Sequence, residues 1–188
     1  MNKIALIAGL AVAASGAAAD VLLELDLSVA NQVTISATTG AASQSAVFTS
    51  FTGFLLADFL ATPGGGFGGV LDASSGNLTT FNNSSDGSPS GFVGTTSRGL
   101  NIWSFSNDTS VSVTAGVQAF SGSATWTLSA AQYADFLAGA TSGNIYAGAD
   151  TDDDIGNAAL IGTYRVVPAP GAMALLGMGG LLAGRRRR

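Results

Sequence analysis

The chain has 188 residues and contains neither cysteine nor histidine, which excludes disulfides, thiolate metal sites, cysteine nucleophiles and the usual histidine general base. Residues 20–166 hold two basic and twelve acidic side chains, a formal net charge of −10. Because binding to phosphates requires lysine and arginine, nucleic acid is excluded as a partner.

Residues 1–19 have the three regions of a secretory signal peptide. Lys3 supplies a positive charge, an apolar segment follows, and small residues then lead to Ala17 and Ala19, which form an Ala-x-Ala cleavage site. A retained N-terminal helix is the alternative, but the apolar segment is too short to span a membrane. We therefore expect export by the Sec translocon and cleavage by signal peptidase before Asp20.

Residues 20–166 are predicted to form one all-β domain. At its start, Val21, Leu23 and Leu25 alternate with residues assigned to the opposite face, which is the period-two pattern of a half-buried strand. Further strands are expected at Val33–Ile35, Asn101–Phe105, Val111–Val113, Ala124–Leu128 and Leu160–Val166. Many short strands separated by glycine-rich turns favour an antiparallel β-sandwich of the jelly-roll type.

Six residues of one turn, 64–69, satisfy the pattern Gly-x-Gly-x-x-Gly. That pattern binds dinucleotides only between a strand and a helix, where the helix N-terminus faces the pyrophosphate. No helical pattern follows residue 69, so we expect a glycine-rich loop rather than a nucleotide site.

One short helix is predicted after residue 128. Ser129 and Gln132 have the spacing of a capping box, and Tyr133 and Phe136 follow at helical spacing. Gly139 is expected to end the helix.

Three aromatic residues, Trp103, Trp126 and Tyr146, are candidates for stacking on sugar rings. The alternation of the strands also places both tryptophans on faces that resemble a core. Glycoside hydrolases use two carboxylates that converge across a cleft, and the sequence does not identify such a pair. Basic side chains that would stabilise an anionic transition state are scarce, so we do not expect an enzyme.

An acidic segment near the end of the domain resembles the start of a calcium loop. Asp150, Asp152 and Asp154 alternate there, and carboxylate oxygens are the ligands that Ca²⁺ prefers. The match is partial, because the turn glycine comes one position late and residue 161 is isoleucine instead of glutamate. An acidic turn exposed to solvent is the alternative, and no cofactor other than this candidate calcium ion is expected.

Residues 167–188 have three parts in a fixed order: Val167-Pro168-Ala169-Pro170, an apolar stretch at 171–184, and four terminal arginines, Arg185, Arg186, Arg187 and Arg188. The prolines end any preceding strand. A helix of the apolar stretch would be about 21 Å long, shorter than the roughly 30 Å of a bilayer core. The arginines would remain on the cytoplasmic side and leave the domain outside.

This tail resembles the PEP-CTERM sorting domain, whose members are exported, held transiently in the inner membrane by the C-terminal helix and recognised by exosortase, a membrane-embedded transpeptidase. The resemblance covers the last 22 residues. It implies that Pro168 and Pro170 are recognised and that the arginine run retains the tail. Ala169 replaces the glutamate of the usual Val-Pro-Glu-Pro motif. The family further implies a Gram-negative type of envelope and an association with exopolysaccharide and biofilm; a plain membrane anchor without processing is the alternative.

Three functions follow as hypotheses. The first is a cell-surface or extracellular-matrix component sorted by exosortase and associated with polysaccharide. The second is a carbohydrate-binding module, with a structural calcium ion as an option. The third, the least favoured, is a glycan hydrolase that uses two aspartates.

Overall fold

The structure is a computed structural model that describes residues 19–66, 68–82, 89–103 and 110–167. These ranges contain two short 3₁₀ segments, Pro63–Gly66 and Asp152–Asn157, and one α-helix, α1 (Ala130–Ala138). The strands are β1 Val21–Asp26, β2 Gln32–Ala37, β3 Ala46–Phe48, β4 Phe54–Leu56, β5 Gly69–Asp72, β6 Ser75–Gly76, β7 Thr79–Thr80, β8 Ser90–Val93, β9 Leu100–Trp103, β10 Val111–Val113, β11 Phe120–Ser121, β12 Ser123–Thr127, β13 Ser142–Ala147 and β14 Ala159–Val167.

Ten of the strands form one sheet in the order β5-β8-β9-β4-β13-β14-β1-β2-β12-β6. Neighbouring strands are antiparallel except β1 and β14, which run parallel. The ribbons β3–β10 and β7–β11 contain two strands each. The predicted all-β class is confirmed, and the parallel pair is a difference from the wholly antiparallel arrangement expected.

The sheet curls until strands near its two ends face each other. Trp126 on β12 is buried, and a Cβ atom placed on Gly91 of β8 would lie 3.8 Å from its indole nitrogen. A small apolar space between these strands is also lined by Leu71 on β5, Ile35 on β2 and Phe136 on α1. The concave side of the curled sheet, which we call the inner face, therefore encloses the core.

Aromatic side chains fill much of this core. The ring centroids of Phe59 lie 5.0 Å from Phe136 and 5.8 Å from Tyr164, both edge-to-face. The hydroxyl of Tyr164 donates a hydrogen bond to the carbonyl oxygen of Ala57 at 2.9 Å. Burial, reinforced by the charge of Asp58, raises the pKa of Tyr164 above its usual value, so this hydroxyl keeps its proton and its hydrogen bond.

β1 departs from simple alternation at Leu22. This residue is as buried as Leu23 and belongs to the same core cluster. The pairing of β1 with β14 is irregular between Val21 and Leu23. A Cβ atom on Gly162 would lie 2.5 Å from the Leu22 side chain. Gly162 pairs with the core residue Ile145, so the irregularity turns Leu22 to the inner face and this glycine gives it space there.

The helix and the glycine-rich turn agree with their predictions. Ser129 Oγ accepts from the N–H of Gln132 at 3.3 Å, and Gln132 Oε1 accepts from the N–H of Ser129 at 2.7 Å, which completes the capping box. Gly139 follows α1 as its C-cap. Gly64 and Gly65 adopt positive φ angles, and the next regular element is β5 instead of a helix, so the context of a dinucleotide fingerprint is missing there.

In the described ranges, no helix is long and apolar enough to cross a membrane. The predicted sorting helix at 171–184 and residues 1–18 lie outside those ranges.

Candidate functional site

A row of side chains crosses the convex side of the sheet, which we call the outer face. Val70 pairs with Phe92, Phe92 with Asn101, Asn101 with Leu55, and Leu55 with Tyr146. Directly paired residues of antiparallel strands share a face. The register therefore places these five side chains on the side of the sheet opposite Trp126.

Two aromatic rings stack beside the middle of this row. Trp103 lies two residues after Asn101 on β9 and so points to the same face. Phe51 comes from the turn between β3 and β4; its ring centroid lies 5.9 Å from that of Trp103, with 29° between the planes. Phe51 is 72% exposed and Val70 is 56% exposed. Large apolar side chains grouped at the surface in this way are typical of binding sites.

These side chains form an open cleft with a volume of about 340 Å³. We call it the aromatic cleft, and its lining residues are Phe51, Val70, Phe92, Asn101, Trp103 and Asp150.

Two polar atoms of the aromatic cleft are buried without a hydrogen-bond partner among the described residues: Oδ1 of Asn101 and Nε1 of Trp103. The Asn101 amide nitrogen donates to the carbonyl oxygens of Thr52 at 2.7 Å and Ala149 at 2.8 Å. These two acceptors fix the orientation of the amide and leave its oxygen unpaired. A buried acceptor or donor without a partner is destabilising, so both atoms would gain from a ligand with matching polar groups.

Asp150 brings a carboxyl group to the cleft. A hydrogen bond with Asp154, then burial, then the negative charge of Asp154 raise the pKa of Asp150 above its usual value. The neighbouring Asp154 therefore favours the protonated form of the Asp150 carboxyl group. Asp150 is half-buried and Asp154 is exposed, so the pair is accessible from solvent.

The structure separates the three predicted calcium ligands. Asp152 turns away from Asp150 and Asp154: its Oδ2 accepts from the hydroxyl of Ser97 at 3.0 Å and from the N–H of Arg98 at 2.8 Å. Within the part of the chain that the structure describes, no three acidic side chains are grouped in a way that could hold a metal ion. Asp150 and Asp154 alone meet, and Asp152 instead ties the acidic loop to the turn before β9.

The three predicted stacking residues lie in different environments. Trp126 is 2% exposed on the inner face and belongs to the hydrophobic core, so its prediction as a glycan platform is wrong. Trp103 is half-buried and lines the aromatic cleft, and Tyr146 is half-buried on the same outer face but outside the cleft.

Four lining residues, Phe51, Val70, Phe92 and Asn101, were not predicted as site residues from the sequence. Phe51 is a large aromatic residue among small polar ones, Thr49-Ser50-Phe51-Thr52. That contrast was a usable signal, because turns run over the surface of a protein.

Both arginines of the domain are engaged away from the cleft. Arg165 forms an ion pair with Glu24, its cross-strand neighbour on β1. Arg98 donates a hydrogen bond to the carbonyl oxygen of Ala61. Neither of them lines the aromatic cleft, whose charged group is the acid Asp150.

Of the residues assigned to processing, the structure describes Ala19, Asp20 and Val167. Ala19 and Asp20 are exposed. The carbonyl oxygen of Asp20 accepts from the N–H and the hydroxyl of Thr163 at 2.9 and 3.0 Å, and Val167, the last residue of β14, pairs with Asp26. Ala17, Pro168, Ala169, Pro170 and the four terminal arginines lie outside the described ranges.

No family model, curated protein or solved structure matches this chain. The residues of the chain and their geometry therefore carry the functional assignment.

Proposed function

We propose that this chain is an exported bacterial cell-surface or extracellular-matrix protein that is sorted by exosortase. The observation that carries the proposal is the order of the tail: Pro168-Ala169-Pro170, then 14 apolar or small residues, then Arg185–Arg188. A proline motif, a short apolar helix and a terminal cationic run together make a membrane-held signal with the domain outside.

The fold supports cleavage at both predicted positions. Asp20 begins the hydrogen-bonded part of the described domain and sits at its surface, so a chain cut before it keeps all of these contacts. β14 ends at Val167, directly before the proline motif. Removal of the tail after this strand leaves the sheet complete.

The proposed partners follow from this route. They are the Sec translocon, signal peptidase, exosortase, the inner membrane during transit through the C-terminal helix, and extracellular polysaccharide as the final environment. The proposed role is structural and not catalytic.

Because strands from the two ends of one curled sheet face each other, we also propose that the fold is a jelly-roll-like sandwich whose two layers belong to the same sheet.

The test is the intact mass of the protein recovered from its native host, with separate membrane and medium fractions. We expect the mass of a polypeptide that starts at Asp20 and ends near Pro168 to Pro170, in addition to the mass of any attached glycan. The double variant Pro168→Ala/Pro170→Ala should retain the tail and accumulate in membranes. The matched control Ala169→Glu, which restores the usual motif of the family, should be processed at least as well. A wild-type mass that still includes residues 171–188 would overturn sorting by exosortase.

A further inference from the structure

We propose that the aromatic cleft binds a neutral saccharide, with a sugar ring against Phe51 and Trp103 and hydroxyl groups hydrogen-bonded to Asn101, Trp103 and Asp150. This inference concerns the described domain and does not depend on how the tail is sorted.

The aromatic pair supplies a flat apolar platform. Phe51 is 72% exposed although it stacks on Trp103, so a large part of its ring faces water. A pyranose ring has an apolar face of C–H groups, and contact with an aromatic ring removes both surfaces from water. Val70 and Phe92 extend this apolar wall along the row of side chains on the outer face.

The polar atoms select hydroxyl groups. Asn101 Oδ1 requires a donor and Trp103 Nε1 requires an acceptor, and both lack partners in the part of the chain that the structure describes. A hydroxyl group donates one hydrogen bond and accepts others. Two hydroxyls of one sugar, or one hydroxyl that serves both atoms, would satisfy the pair, whereas an aliphatic ligand would leave both atoms unsatisfied.

The charges select a neutral sugar over an acidic one. The domain carries a formal charge of −10, and the cleft contains Asp150 but no basic side chain among its described lining residues. Arg165 is paired with Glu24, and Arg98 donates to Ala61. A uronic-acid polymer would therefore meet repulsion without a compensating cation.

The dimensions agree with an oligosaccharide. The volume of about 340 Å³ is at the lower end of the roughly 300–1,000 Å³ that small-molecule sites occupy. Because the exposed side chains Phe51 and Val70 border it, the cleft is open to solvent and could accept one unit of a longer chain.

The experiment is isothermal titration calorimetry of the full-length protein with three probes: cellohexaose, maltohexaose and hexagalacturonate. We expect saturable binding of at least one of the two neutral hexasaccharides and weaker or no binding of hexagalacturonate. If neither neutral hexasaccharide binds at millimolar concentration, or if hexagalacturonate binds more tightly, the proposal is wrong.

Matched variants locate the site. Phe51→Ala and Trp103→Ala should each weaken binding by about tenfold, because each removes one ring of the platform. Phe81→Ala is the control: Phe81 is also exposed, at 46%, but does not line the cleft, and its affinity should equal that of the wild type. Equal affinity of Phe51→Ala and wild type would contradict the assignment.

Fluorescence provides a readout that does not depend on heat. The chain has two tryptophans, so a Trp126→Phe variant emits from Trp103 alone. Titration of this variant with the bound hexasaccharide should change its emission with the same Kd as calorimetry.

If Phe51→Ala instead abolishes a dimer in analytical ultracentrifugation and no hexasaccharide binds, the cleft is a contact between two copies and the saccharide proposal fails.

Discussion

The two tryptophans of this protein lie on opposite faces of one sheet and have opposite environments. Trp126 on β12 is enclosed where the curled ends of the sheet meet, against Leu100, Ile102 and Phe136. Trp103 on β9 borders solvent and contacts Phe51. Trp126 shares its face with Ala124 and alternates with serine and threonine residues, whereas Trp103 shares its face with Asn101 and alternates with the core residues Leu100 and Ile102. The alternation within each strand therefore already separates the two tryptophans, and the curl of the sheet closes the core over Trp126.

The largest expected effect tests this contrast directly. Trp126→Ala should lower the free energy of unfolding by about 3–5 kcal/mol, because it leaves a cavity in the closed core. Trp103→Ala should cost about 1 kcal/mol, since its ring is only half-buried. Urea unfolding monitored by circular dichroism measures both. Trp126→Phe should lose less than Trp126→Ala, and equal losses for Trp103→Ala and Trp126→Ala would remove the distinction between the two faces.

A second prediction examines how tightly the inner face is packed at the centre of the sheet. Gly143 on β13 pairs with Tyr164 on β14, and a Cβ atom on Gly143 would lie 2.6 Å from the Tyr164 hydroxyl oxygen and 2.7 Å from its ring. Gly143→Ala should therefore lower the free energy of unfolding by about 1–3 kcal/mol through overpacking.

The control for this prediction is Gly156→Ala. A Cβ atom on Gly156 would have no heavy atom within 4 Å, and its unfolding free energy should stay within about 0.5 kcal/mol of the wild type. The same chemical denaturation series compares the two variants. If Gly143→Ala proves as harmless as Gly156→Ala, the close contact with Tyr164 is not a constraint.

The smallest effect concerns the outer face and depends on pH. The pKa of Asp150 is raised from 3.8 by Asp154 and burial. The folded state therefore holds the Asp150 proton more tightly than the unfolded state does. The resulting stabilisation is fully present below pH 3.8 and is lost as the pH rises through the folded-state pKa. Asp154→Asn should remove much of this pH-dependent loss of stability. The Tm of the variant should therefore rise relative to that of the wild type between acidic and neutral pH.

Thermal unfolding across this pH range measures the difference. Asp153→Asn is the matched control, because Asp153 is exposed and has no part in the shift of Asp150, and its Tm should follow the wild type. A constant difference in Tm between Asp154→Asn and wild type at every pH would show that the two carboxyl groups do not interact.

Local features of the fold were predictable, and long-range ones were not. The capping box of α1 depends on two residues three positions apart, so their spacing in the sequence is enough to predict it. The burial of Leu22 depends on Gly162, 140 residues away, and the alternation within β1 does not predict it. Strand positions were therefore recovered better than strand partners, and the parallel pairing of β1 with β14 was not foreseen.

The candidate site was recovered only in part for the same reason. Trp103 was identified as an aromatic residue in a strand, but its stacking partner Phe51 reaches it from a turn 52 residues earlier in the chain. Asp150 was identified as an acid of a calcium-like loop, yet the bonds from Ser97 and Arg98 to Asp152 separate the three aspartates. Such contacts arise from the fold of the sheet, which a linear pattern does not contain.

The position of β14 sets the timing of folding. β14 lies between β13 and β1 and joins the strands β5-β8-β9-β4-β13 to the strands β1-β2-β12-β6. It is also the last of the described strands to leave the ribosome. Until residues 159–167 emerge, the two groups of strands have no shared hydrogen bonds with each other across the sheet, and such sequence-distant pairing forms slowly. The nascent domain thus stays open until β14 is available, which is compatible with the export that we propose.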